Sequence, residues 1–208
     1  IGITSFTLED DAFISSEAVI ARAGIDRNLL RIFLTGEELR DWNSSPKCVA
    51  IFPYDRDFHA IDLPSHPNAY RWLWRFRTSL SNSKMFGKQT KVEAGLKWWE
   101  YGRLTASKLR DPLSIAFAFV ATHNHFLLDR GGKVFNRHAQ VIKLSHDAGE
   151  TDHLGLLGLL NSSVACFWLK QVAFNKGDST DARGARTTGD PAFDTYEFGA
   201  SMVAKLPI

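Results

Sequence analysis

Two groups of residues in this 208-residue chain carry chemistry beyond packing. The first is the imidazole pair of His123-Asn124-His125, with Asp129 four residues on. Imidazole and carboxylate both ligate divalent transition ions. One of the two histidines is expected to face the core, and no further ligand spacing follows, so no metal is assigned. The letters HNH also name a nuclease motif, but that motif is spread over a ββα-metal unit, and three consecutive letters do not make one. The second group lies in Lys91 to Arg110, KVEAGLKWWEYGRLTASKLR, which sets two tryptophans and a tyrosine among lysines and arginines. Flat rings and positive charge suit nucleic acid, because bases stack on aromatic faces for about 1–3 kcal/mol each and guanidinium groups stack on the same rings.

Catalytic patterns are missing from the sequence. There is no GxGxxG or GxxxxGK[ST] loop and no GxSxG elbow. No Glu-x-Lys or Asp-x-Lys pair occurs, and Glu93 to Lys97 has the wrong spacing for the common restriction-nuclease pattern. No catalytic residue is therefore expected in this chain.

Charge sharpens the second group. The formal net charge is only +2, yet residues 1–70 carry −5, residues 71–110 carry +8 and residues 111–208 carry −1. A basic block of this kind is the footprint of a polyanion partner, since Lys and Arg that neutralise phosphates release condensed counterions. The competing reading is a solvated, lysine-rich face. Just before the block, Tyr70, Trp72, Trp74, Phe76 and Leu80 have helical spacing, which reads Trp72 and Trp74 as core. Of Trp98 and Trp99, one ring is expected inside and the other outside, as for neighbours on a strand.

The elements that must position these residues can be placed by periodicity. Strands are predicted at 29–34, 48–52, 114–122, 126–129 and 139–144, and helices at 68–80 and 153–170. A helical turn covers Gly36 to Trp42, Asp111-Pro112 marks a break, and 175–190 reads as a loop rich in Gly, Ser, Thr and Asp. The fold class is therefore α+β, with a mixed, mainly antiparallel sheet and packed helices. Hydrophobic residues at 44% and charged residues at 23% are ordinary for one globular domain over 1–208. Cys48 and Cys166 lack a CxxC partner and sit in apolar runs, which reads as buried thiols in a reducing, cytoplasmic setting. No apolar run is long enough to cross a bilayer, so no membrane partner is expected. The chain begins at Ile1 without a methionine and reads as a piece of something longer.

Several blocks in order carry a family resemblance: GEELRDW with IFPYD, then FVATHNHFLLDRGGKVFNR with VIKL, then LLGLLNSSVACFWLKQVAFNKG, and finally YEFGASMVAKLPI. Over roughly Arg31 to Ile208 the chain resembles the carboxy-terminal part of the PglX-type adenine-specific DNA methyltransferases of phage-exclusion (BREX) systems. That part is similar to a TaqI-like specificity domain. The resemblance implies a target recognition domain that grips duplex DNA while an amino-terminal methyltransferase domain of the same polypeptide binds S-adenosylmethionine and methylates adenine. Neither the cofactor motif nor the Asn-Pro-Pro-Tyr-type motif is present; Phe52-Pro53-Tyr54 is only an echo with one proline. The expectation is no cofactor in this chain and S-adenosylmethionine in the parent enzyme.

Charge and resemblance together make residue-level expectations. Lys84, Lys88, Lys91, Lys97, Arg103, Lys108 and Arg110 hold phosphates, with Lys176 adding one more. Trp98, Trp99 or Tyr101 pack on sugar, base or the buried side of the same surface. Arg75, Arg77, Gln89 and Asn124 are the candidates for reading base edges. Asn161 and Ser162 are read as satisfying neighbouring backbone groups. Two other classes stay open: a module that binds other phage-defence proteins, and a metal-dependent nuclease.

Overall fold

In a computed structural model describing residues 1–178 and 189–208, three sheets of three or four strands and two two-stranded ribbons pack with helices around three apolar clusters. The first half runs β1 (Ser5–Phe6), α1 (Asp10–Phe13), β2 (Ile14–Ser15), α2 (Glu17–Arg22), β3 (Leu30–Leu34), β4 (Leu39–Arg40), β5 (Asn43–Ser44), β6 (Cys48–Ile51), α3 (Pro67–Trp74) and α4 (Arg77–Asn82). The second half continues with β7 (Arg103–Leu104), α5 (Ala106–Arg110), β8 (Leu113–Ala118), β9 (Val120–Ala121), β10 (Phe126–Arg130), β11 (Lys133–Phe135), β12 (Ala139–Ile142), α6 (Glu150–Leu160), α7 (Ser163–Val172), β13 (Phe174–Gly177), β14 (Thr195–Glu197) and α8 (Ala200–Val203).

The fold is α+β. One sheet has the order β11-β3-β6-β2, with β11 parallel to β3 and every other pair antiparallel. A second, β10-β8-β12, is antiparallel throughout, as is a third, β13-β14-β9. The first core gathers Phe13, Ile20, Phe33, Ile51, Phe52, Leu73 and Tyr101. The second gathers Ile115, Phe117, Phe126, Leu157, Leu160, Leu169 and Phe198. Between them lie Leu34, Leu39, Ala116, Leu127, Phe135 and Val141. The amino-terminal segment is stitched into the later half: Ser5 Oγ donates to the Phe135 carbonyl at 2.6 Å, and Gly2 and Val141 exchange both backbone bonds at 2.9 and 3.0 Å.

Each of the five predicted strands is present, although 114–122 is two strands, because the chain leaves β8 at Phe119, whose N–H donates to the His138 carbonyl. Both predicted helices are also interrupted. The 68–80 segment opens at Pro67, a favoured first position whose ring lacks the N–H that would go unpaired there. It breaks at Phe76 (φ −103°, ψ 5°), whose ring packs on the first core. The 153–170 segment breaks at Asn161, whose side chain pairs with both backbone groups of Phe126: Phe126 N–H donates to Oδ1 at 3.0 Å and Nδ2 donates to the carbonyl at 2.9 Å. Ser162 then caps α7, its Oγ accepting from Ala165 N at 3.1 Å.

The helical turn expected over 36–42 is a single 3-10 turn, Gly36–Glu38, followed by β4. Glu38 reaches back to the Thr35 N–H at 2.8 Å, as a capping box does. Gly36 is required there, since a Cβ would sit 2.5 Å from the His138 carbonyl oxygen. The expected loop at 175–190 begins as strand β13, and 179–188 lie outside the described residues. Cys48 and Cys166 are free and half-buried rather than buried. Among the described residues no helix is long and apolar enough to cross a membrane.

Candidate functional site

The segment from Ser83 to Gly102 has no helix or strand, so side chains must hold it. Tyr101 is its main anchor. Its ring is fully buried against Phe13, Phe52 and Tyr54 with centroids 5.0, 5.9 and 5.5 Å away. Its hydroxyl donates to the Ile51 carbonyl at 2.7 Å, and its N–H donates to the Tyr54 hydroxyl at 2.6 Å. Burial pushes both phenols well above their ordinary range, so neither ionises in use.

Lys91 is the second anchor. It is 0% exposed, donates to the carbonyls of Trp98 at 3.1 Å and Glu100 at 2.8 Å, and lies 5.8 Å from the Phe13 ring centre. Lys91 and Tyr101 are therefore not surface contacts, which corrects the expectation for both: each organises the loop from inside. Burial pulls the Lys91 pKa down to about 8, with Glu9 and Glu100 pulling back. The amine is charged in both states below pH about 8, and above it the folded protein loses the proton while the unfolded chain keeps it up to its ordinary 10.5. Stability owed to Lys91 thus rises between those values. Urea unfolding of wild type and Lys91→Met, at about pH 7 and about pH 9.5, is expected to show the margin of the wild type over the variant widening at the higher pH. A constant margin would contradict the assignment.

With the loop held this way, a ring cluster forms over α3. Helix α3 turns Ala69 and Leu73 inward and leaves Arg71 and Trp74 outside, Trp74 being 47% exposed. Trp72 is half-buried, its indole N–H donating to the Ala12 carbonyl at 2.9 Å. The core reading thus holds in part for Trp72 and fails for Trp74, because the eight-residue helix exposes one face that no other element covers among the described residues. Trp74 contacts Tyr70 (5.2 Å) and Trp98 (6.0 Å), and Trp98 contacts Trp99 (5.4 Å). Both Trp98 and Trp99 are half-buried, lying in turns rather than on a strand, so neither is wholly in or out.

Cations cap these rings. The Arg75 guanidinium lies 4.1 Å from the Trp72 ring centre, Arg77 4.7 Å from Trp74, and the Lys97 amine 5.2 Å from Trp99. Beside them a cavity of about 330 Å³ is lined by Arg22, Asn68, Arg71, Trp72 and Arg75. Arg22 comes from α2, far from the basic block in sequence, and was not among the expected residues. None of Arg22, Arg71, Arg75, Arg77 or Lys97 lies within ion-pair distance of a carboxylate among the described residues. This uncompensated charge over exposed aromatic surface has the makings of an anion-binding and stacking face.

The other expected residues fall elsewhere. Lys84, Lys88 and Gln89 are exposed on a small loop closed by Met85 N–H to Gln89 carbonyl at 3.0 Å. At its tip Phe86 is 74% exposed, its ring centre 5.8 Å from that of Phe6, an aromatic among lysines that was not among the expected residues; its signal is the Met85-Phe86 pair in a polar turn. Arg103 and Arg110 are exposed, and Lys108 is half-buried, burial and then Arg103 lowering its pKa. Lys176 is exposed but already paired with Glu197 at 3.0 Å. Asn124 is buried and donates to the Leu160 carbonyl, so it cannot read a base edge without breaking the α6 end, a further correction. Asp129 does not join the histidines: it is buried and paired with Lys133, while Asp41 from the β4–β5 turn takes that place, its Oδ1 2.8 Å from His125 Nδ1.

Comparison with known proteins now bears on this arrangement. No family model matches the chain. The adenine-specific methyltransferase PglX of Streptomyces coelicolor is 38% identical over 209 aligned positions, covering 100% of this chain and 17% of that protein. The resemblance to the PglX-type methyltransferases holds from end to end. The chain spans about a sixth of the length of that curated relative, whose name describes the whole protein. Among solved structures, the Type IIL restriction-modification enzyme MmeI, in complex with DNA, superposes with a TM-score of 0.61 at 15% identity over 98% of this chain and 24% of that one. At that identity the likeness is one of fold. It agrees with the α+β architecture.

Proposed function

We propose that residues 1–208 form a single target recognition domain, the DNA-specificity part of an adenine-specific methyltransferase in restriction-modification or phage defence. The observation that carries this reading is the row of cations stacked on Trp72, Trp74 and Trp99, with no carboxylate within ion-pair distance of them among the described residues. Arg71, Arg75, Arg77 and Lys97 grip the phosphate backbone, with Lys84, Lys88, Arg103 and Arg110 extending the contact. Gln89, Arg75 and Arg77 are exposed and in this reading are the side chains free to reach base edges. In this reading S-adenosylmethionine and methyl transfer belong to a methyltransferase domain elsewhere in the parent polypeptide, and the relative's name supports that division.

The test is fluorescence anisotropy of the isolated chain on a duplex of random sequence across a salt series. With about five of these eight residues on phosphates at one time, 0.9 each gives an expected slope of log affinity against log salt near −4.5. Binding that does not respond to salt, or none at all, would sink the reading. One observation favours a second role on another surface: Val164 and Phe167 on α7 are 75% and 70% exposed, the kind of apolar patch that meets another protein. The methyltransferase domain or another defence protein is the partner that this role would require.

A further inference from the structure

We infer that Asp41, His123 and His125 form a binding site for one divalent transition ion of the zinc class. One ligand atom from each of the three side chains lies within 4.8 Å of the others. Ligands around a tetrahedral ion at Zn–N of about 2.0–2.1 Å are about 3.4 Å apart, so small side-chain rotations suffice. Two imidazoles and one carboxylate are the donor set that suits zinc better than calcium or magnesium, which prefer all-oxygen shells. Three protein ligands leave one position for water or an anion, and both histidines line a cavity of about 370 Å³ with Gly36, Glu37, Arg40 and Thr122 that has room for it.

The backbone holds the two contributing turns together before any ion arrives. Asp41 lies in the β4–β5 turn, whose next residue, Trp42, donates its N–H to the Phe126 carbonyl at 3.1 Å. The histidines lie in the β9–β10 turn just before Phe126, their ring centres 4.3 Å apart. The hydroxyl of Thr122 is 3.0 Å from His123 Nδ1, the outer-layer contact that fixes a ligating imidazole. The Asp41–His125 hydrogen bond closes the same junction that the ion would clamp. Arg40 on the cavity wall opposes a cation and weakens the site.

Chelator-treated, dialysed chain should be titrated with zinc chloride by calorimetry and with cobalt(II) by visible absorption. The expected result is one saturable equivalent, with affinity falling by about 10–100-fold or more in Asp41→Asn and in His123→Gln. Both residues are solvent-accessible, so these variants should keep the wild-type unfolding midpoint, which is measured alongside; buried His125 is left intact. The exposed group Asp55, Asp57 and His59 is the internal control, because its atoms also lie close together. Asp57→Asn and His59→Gln are expected to bind zinc as the wild type does. No saturable equivalent, or one that survives Asp41→Asn and His123→Gln, or one lost in the control variants, would overturn the assignment.

Discussion

A chain in which Arg71, Arg75, Arg77 and Lys97 are all alanine will bind duplex DNA on the order of 10³-fold more weakly, from four charge-assisted contacts netting about 1 kcal/mol each. Its salt slope will flatten by about 3.6, from 0.9 per lost phosphate contact. The loss will be the same on every duplex if these residues touch only phosphates, because phosphate contacts carry no base identity. A loss that varies with sequence assigns base reading to α3. All four side chains are exposed, so the unfolding midpoint should barely move. Trp74→Ala separates the rings from the charges: it should cost about 1–3 kcal/mol of binding and leave the salt slope unchanged. Full affinity in the quadruple variant would falsify the placement of the interface on these four cations, and the exposed α7 patch would then move ahead.

Tyr101→Ala carries the largest expected effect on folding. Removing a fully buried aromatic ring costs about 3–5 kcal/mol, against a whole-domain stability of about 5–15 kcal/mol. The Ile51 carbonyl also loses its donor. Tyr101→Phe keeps the ring and should cost only about 1–3 kcal/mol for the orphaned carbonyl. Urea unfolding of the three proteins measures both steps. Because Tyr101 pins Ser83–Gly102 to the first core, a destabilised Tyr101→Ala protein should also expose the Trp98 and Trp99 rings, seen as a red shift in tryptophan emission. Two variants of equal stability would mean that the ring is not the anchor.

Short apolar, β-rich runs such as LLRIFL and CVAIF showed their strands plainly in the sequence, and so did the helical leucines of α6. The breaks did not show. Asn161 ends α6 because Phe126, 35 residues earlier, offers it both backbone groups, and no window around Asn161 contains that information. The same holds for the site. Spacing pointed to Arg75, Arg77 and Lys97, but Lys91 looks like its lysine neighbours and differs only in meeting two carbonyls inside the loop. Arg22 and Asp41 join their groups through tertiary proximity, from the acidic third of the chain. Short strands of two or three residues, such as β1 and β9, have too little pattern to register and exist because a partner strand is present.

The parallel pairing of β11 with β3 has a consequence for how the protein comes into being. Phe33 and Leu34 find their edge partner in Val134 and Phe135, about a hundred residues later. A nascent chain that has emerged only as far as α5 therefore shows an open strand of LRIFL to its surroundings, with hydrogen-bonding groups that any other extended chain can take up. Folding during synthesis must wait for the whole β8 to β12 region to leave the ribosome, and long-range closure of this kind is slow. Splitting the molecule between α5 and β8 would leave two sticky fragments rather than two working halves.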